Sequence, residues 1–398
     1  MILENRNYLF YALILGFLTM TGPISIDVFV PMIPKMASEF RTNVGMIELS
    51  LAAIFAGNGL GQIIYGAVAD RYGRKPVILT TLFIFLITTL GAGLAEDIET
   101  LIFWRFFQGL LMASGRILAN SVARDLFEHK MLTKLITLVM AIGILSSLLS
   151  APVGGYLAEN HNWQSVFWFM SLYAAITFSL FLFFFKETIK KKDFDALNLS
   201  NLFVNFLNIL TNKTFALNVI CGGFILGGVV AFLNSSSGVL INTFGMKPSI
   251  FGWVYSLVML GYGLTALAQQ KLIDRINPSK LILISSLLSA FAGISMFCLV
   301  ITNINHPIII IGPMLIFVAG FAILWPQSVG ACLQPFPEKA GAASSLQGFI
   351  QNSMAAVVSA LLSVFSNDTA IPMSFAITIC GIFTLIMALI VIRETHPK

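Results

Sequence analysis

Apolar positions along this chain run in long blocks rather than alternating, and short polar breaks separate the blocks. A helix crosses the hydrocarbon core with ~20 mostly apolar residues. Blocks of that kind recur twelve times, over 8–34, 46–69, 76–95, 99–123, 132–157, 164–186, 215–243, 249–270, 279–302, 306–333, 340–365 and 370–393. The absence of a period-two pattern excludes barrel strands. Backbone polar groups in lipid must then be paired within helices. The longest break, from Glu187 to about Thr214, contains Lys190-Lys191-Lys192. It divides the chain into an N-terminal six-helix bundle (1–186), a cytoplasmic central loop (187–214) and a C-terminal six-helix bundle (215–398). The expected fold is all-α and integral to the membrane, with twelve transmembrane helices in two pseudo-symmetric six-helix bundles. The central loop is expected along the cytoplasmic face, because its basic run and Phe/Leu content suit an interface.

Composition agrees. Of 398 residues, 57% are hydrophobic and 10% charged, against roughly 25% charged in soluble domains. Mean hydropathy is +0.89. The first apolar block is too long for a cleavable signal peptide and lacks a small-residue cleavage site. Basic residues favour the cytoplasmic side of a membrane. With both termini placed there, the Lys and Arg residues fall on that side, except Lys35, Arg41 and Lys247 outside and Arg105 and Arg116 within a span. The external turns carry Glu96, Asp97, Glu99, Glu159 and Asp368. The net charge of +5 is therefore topological, and no nucleic-acid partner is expected. The four cysteines lie singly in apolar segments without metal-ligand spacing, so neither a metal nor a cofactor is expected.

The halves look duplicated. An ungapped shift of 204 residues aligns Gly57, Gly59 and Leu60 with Gly261, Gly263 and Leu264, Asp70-Arg71 with Asp274-Arg275, and Ile78-Leu79 with Ile282-Leu283. Both copies lie between the second and third helices of their half. Two halves related by an axis along the membrane normal are a known transporter plan.

Ionisable residues inside a membrane are rare and usually functional. Asp27 is the one acid well inside a predicted span. Either it loads and releases a proton, or it lies in the outer third of its helix and is wetted from outside. Arg105 on the fourth helix lies at about the same depth, six residues in at ~1.5 Å each, and is the expected partner. Arg116 follows eleven residues later, about 20° off the same helical face. It either continues a basic stripe along a cavity, favouring anionic or zwitterionic substrates, or snorkels to the cytoplasmic edge. Around the second break, Gly66, Asp70, Arg71, Gly73, Arg74 and Lys75 form a dense cluster. The acid either latches one bundle to the other through Asp–Arg pairing or simply caps a positive-inside anchor. Pro152, with Gly154 and Gly155, kinks the fifth helix and admits a close neighbour. The second half has only neutral polar candidates, among them Asn234, Gln327 and Gln351. These either line a substrate cavity or hold helices together.

Gly66-x-x-x-Asp70-Arg71-x-Gly73-Arg74-Lys75 resembles the loop between helices two and three of the major facilitator superfamily. Within it, the chain resembles the Bcr/CflA branch of drug:proton antiporters, through Gly22–Pro31, Gly61–Gly66, Val122–Asp125, Ala151–Gly155 and Ala340–Leu346. Arg105 looks like the superfamily's fourth-helix arginine, which the resemblance implicates in proton coupling. Ala151-Pro152-Val153-Gly154-Gly155 is similar to the antiporter motif, with Ala151 in place of its usual glycine. The resemblance implies export of drugs or small amphipathic molecules, driven by protons through rocking of two bundles, in a bacterial inner membrane and as a monomer. Metabolite or siderophore export, nutrient import and a channel are the alternatives. Channels commonly rely on filters or charge rings from repeated subunits, which a twofold pseudo-repeat does not resemble. No Walker loop, nucleophile elbow or HExxH motif supports an ATP-driven pump or an enzyme.

Overall fold

A computed structural model describes residues 2–395, apart from 190, 195, 198, 273, 274, 303, 305 and 368. Lys190, Asp274 and Asp368 of the sequence reading thus lie outside the described residues. The first span is broken rather than continuous. It comprises α1 (Ile2–Thr19), α2 (Thr21–Asp27), a 3-10 turn (Val30–Met32) and α3 (Ile33–Glu39). Pro31 and Pro34 are the second residues of the turn and of α3, within the first turn, where a missing N–H costs least. Long helices follow: α4 (Val44–Tyr72), α5 (Arg74–Gly93), α6 (Ile98–Leu126), α7 (His129–Asn160) and α8 (Gln164–Phe184). The second half holds α10 (Lys213–Ser237), α11 (Pro248–Leu272), α12 (Pro278–Ile301), α13 (Ile308–Leu333), α14 (Ala340–Phe365) and α15 (Ile371–Thr395). Side-chain oxygens start several of them. Asn43 accepts from the Met46 N–H, Asp97 from Thr100, Asn212 from Phe215 and Asn277 from Ser279, pairing amides a helix leaves open.

Among the described residues, eleven spans are long and apolar enough to cross a membrane. The remaining span, α6, is 29 residues long but carries Glu99, Arg105, Arg116 and Arg124, which lower its hydropathy. The segment between residues 187 and 214 is not all loop, since α9 (Leu199–Leu210) lies in it and packs on α10 and α14. Its Ile209 is buried beside Phe215 and Leu346, while Phe203 and Leu207 remain exposed.

Antiparallel neighbours alternate between two faces. The face where α1 begins holds most of the basic residues and is called the basic face below. Joins between the halves run along α4–α14 and α7–α11. Along α4–α14, Gly45 abuts the Ser363 carbonyl near the opposite face, and Asn58 Nδ2 donates to Asn352 Oδ1 at 2.9 Å midway. Gly66 approaches Ser345 near the basic face. Along α7–α11, Ser256 Oγ donates to the Leu148 carbonyl at 2.7 Å.

Candidate functional site

Asp27 ends α2 and is 5% exposed. Its partner comes from the other half: Tyr255 of α11 donates its phenol to Asp27 Oδ1 at 2.6 Å. Ser147 of α7 faces the same carboxyl. The expected ion pair with Arg105 is not formed. The described ion pairs within 4.0 Å are Arg74–Asp70, Arg74–Asp125 and Lys213–Glu394. Arg105 is instead fully buried within the first half. Its Nη1 donates to the Ser25 carbonyl at 3.0 Å and to Gln108 Oε1 at 2.6 Å, and its guanidinium lies 4.1 Å over the Phe29 ring. Nε and Nη2 have no protein partner. Matching depth fixed the level of Arg105 but not the direction of its side chain. Binding the Ser25 carbonyl two residues before Asp27, Arg105 positions the backbone that carries the acid.

Arg105 and Arg116 do not form a continuous stripe. Arg116 is exposed, although its neighbours Gly115 and Leu118 are buried. It lies 5.9 Å from the Trp325 ring of α13 and within electrostatic reach of Tyr262 on α11. It therefore faces a space between the halves rather than the cytoplasmic edge. Of the neutral candidates, Asn234 is fully buried and exchanges hydrogen bonds with Ser359 of α14, which ties two helices of the second half. Gln351 accepts from Trp325 Nε1 at 3.0 Å and from Gln347. Gln327 Nε2 donates to the Ile323 carbonyl one turn back.

Pro152 lies inside α7, and the glycines after it serve contact. A Cβ on Gly154 would sit 2.2 Å from the Val28 carbonyl oxygen, and one on Gly155 2.3 Å from that of Pro248. The motif thus touches the first span on one side and the start of α11 on the other.

At the basic face, Arg74 joins Asp70 (2.6 Å) to Asp125 at the end of α6 (3.0 Å). Glu187, beyond α8, accepts from the backbone N–H groups of Arg74, Lys75, Thr188 and Ile189. Burial pushes its carboxyl up, but these four donors outweigh that and hold it below the usual range. Lys75 Nζ donates to the Leu182 carbonyl, and Arg71 lies over the Tyr72 ring. Gly73 has φ +110°, a region that glycine adopts readily and other residues avoid. Among the described residues, the acids paired with Arg74 belong to the first half, and Glu187 to the start of the segment that follows it. It therefore fastens α4, α5, α6 and the end of α8 to one another, and the expected salt bridge between bundles is not among its contacts.

Asp27 is not the only embedded acid. Glu48 of α4 is 1% exposed, its Oε2 has no partner, and its carboxyl faces Ser235 of α10 and Ser366 after α14. Its place one turn inside a span end reads as interfacial in sequence, and the burial comes from the second half closing over it.

Two helical halves, joined near a buried acid and meeting again beside an exposed arginine, define a polytopic membrane protein. The Major Facilitator Superfamily model matches residues 14–359 and, in a second match, 221–398, and the chain belongs to that superfamily. It is 24% identical over 383 residues to a bicyclomycin resistance protein homolog of Haemophilus influenzae, covering 96% of each chain. It is 28% identical over 389 residues to multidrug resistance protein D of Escherichia coli, covering 96% of this chain and 95% of that one. Among solved structures it resembles a D-xylose-proton symporter, with a TM-score of 0.75 at 16% identity over 96% of this chain and 97% of that one. That likeness concerns the fold alone.

Proposed function

We propose that this protein is a proton-coupled exporter of small amphipathic molecules, including drugs, that works by alternating access. Both termini lie in the cytoplasm of a bacterial cell, and the unit of function is one chain of two six-helix bundles, 1–186 and 215–398, joined by 187–214. The names of the relatives support the substrate class, and the distribution of Lys and Arg supports the orientation. The observation that carries the coupling is the Tyr255–Asp27 hydrogen bond between the halves.

An ionised carboxylate accepts that phenol proton in a charge-assisted bond, about twice as strong as a neutral one. Protonation of Asp27 weakens the acceptor and loosens the tie at the face away from the termini. Solute loaded from the cytoplasm opens that face, a proton from outside takes the freed Asp27 as solute leaves, and on the return the acid releases that proton to the cytoplasm and the tie re-forms. Arg105 holds the Ser25 carbonyl, and with it the acid, in place. The membrane potential adds ~2.3 kcal/mol per charge per 100 mV.

The test is transport by purified protein in proteoliposomes with an imposed ΔpH. Asp27→Asn is expected to abolish uphill movement while keeping downhill exchange of labelled for unlabelled solute. Full ΔpH-driven accumulation by Asp27→Asn overturns the coupling.

A further inference from the structure

Arg116 is a cation near the middle of a membrane-embedded helix without a described ion-pair partner within 4.0 Å. A charge at such a depth is costly unless it is paired or wetted. Its surroundings on the opposing half are of one chemical kind. Trp325 stands 5.9 Å from the guanidinium, stacks on Phe321 at 5.7 Å, and Phe321 meets Tyr262 at 5.6 Å. Neither α11, α13 nor α14 contains an Asp or Glu. The wall facing Arg116 therefore offers flat aromatic rings, one of them the Tyr262 phenol, and no carboxylate on these helices. The Trp325 N–H is already taken by Gln351, and Arg116 itself lies over the Trp325 ring in a cation–π contact, so cation and ring are presented together.

We propose that Arg116 and the Trp325–Phe321–Tyr262 ladder form a subsite for planar aromatic anions, carboxylates above all. The guanidinium takes the carboxylate through two parallel N–H donors. As Arg116 turns to the carboxylate, the ligand ring takes the guanidinium's place over Trp325, in the offset geometry that aromatic pairs favour. Aromatic cations are repelled by Arg116 and find no acid across from it. The inference rests on reading the space between the halves as the solute's route.

The test measures binding of three probes of one shape to the purified protein by equilibrium dialysis: naphthoate, naphthylmethanol and naphthylmethylammonium. Naphthoate is expected to bind at least about tenfold tighter than the alcohol, the ratio that ~1.4 kcal/mol of charge pairing gives, with the ammonium weakest. Arg116→Gln removes this order. Arg116→Lys keeps the charge preference but lowers the naphthoate affinity, because the fork is lost. Trp325→Ala weakens all three probes alike. Equal binding of the three by wild type, preference for the ammonium, or an unchanged order in Arg116→Gln overturns the subsite. If Arg116→Gln does not purify, the wild-type order and Arg116→Lys decide. Dialysis needs no gradient, so the two readings fail separately. Correct probe order without ΔpH-driven transport sinks the coupling and leaves the subsite. Intact transport without the order does the reverse.

Discussion

At the residue scale, the proposed proton coupling rests on the tie between Asp27 and Tyr255. Tyr255→Phe keeps the ring and its packing beside Phe232 and Phe251 and removes only the donor to Asp27. A buried carboxylate that loses a hydrogen bond loses about 1.5–3 kcal/mol. Tyr255→Phe is expected to fold normally and to lower ΔpH-driven transport in reconstituted vesicles at least about tenfold, the ratio that ~1.4 kcal/mol gives. Wild-type transport by Tyr255→Phe counts against the tie. Asp27 was legible in the sequence because an acid among apolar residues stands out. Tyr255 was not, since a phenol in an apolar span is unremarkable until the tertiary fold brings it to an acid 228 residues away. Glu187 gives a second prediction. A carboxyl held below its unfolded value stabilises the fold above that unfolded value, and the gain is lost as pH falls through the lowered one. The melting temperature of Glu187→Gln should therefore lie below wild type at pH 7, with a gap that narrows on acidification. A gap that stays constant or widens contradicts the role given to those four backbone donors.

At the element scale, the spans were readable because lipid forces long apolar runs into helices, and caps such as Asn43 and Asp97 refine their starts. α6 was readable as a span despite its arginines, which composition alone penalises. Two features escaped. The break within the first span depends on how Pro31 and Pro34 are used, and α9 lies in a stretch whose basic run points to a surface segment. The close contacts of α7 yield a prediction of their own. Gly155→Ala places a methyl about 2.3 Å from the Pro248 carbonyl oxygen, and overpacking of that kind costs about 1–3 kcal/mol. That contact lies between the halves at the face away from the termini. The substitution is expected to favour the state open at that face. The readout is labelling of Ser237→Cys, fully buried in the closed arrangement, by a membrane-impermeant maleimide in a background without native cysteines. Labelling no faster in Gly155→Ala than in its Gly155 parent argues that α7–α11 is not a gate.

At the scale of the whole molecule, rocking makes different demands on the two seams. Along α4–α14 the halves touch from Gly45–Ser363 through Asn58–Asn352 to Gly66–Ser345, so a rotation about the middle of that seam moves its ends and spares its centre. The α7–α11 contact at Leu148–Ser256 and Gly155–Pro248 lies off that centre and must part for the far face to open. The 204-residue repeat in the sequence already implied two similar bodies, but it could not say where they touch, because seams are made by side chains that differ between the copies. Two paired substitutions separate centre from gate in cysteine-free protein. Leu148→Cys with Ser256→Cys, joined by a short bifunctional thiol reagent, is expected to reduce solute flux at least about tenfold, a barrier change of ~1.4 kcal/mol. Asn58→Cys with Asn352→Cys, joined in the same way, should retain most of the flux. The interhelical hydrogen bond it replaces contributes only ~0.6 kcal/mol, and the tied atoms lie near the axis. Equal arrest by both ties would mean that the halves slide or separate as a whole, and the rocking geometry would have to be abandoned although the fold stood.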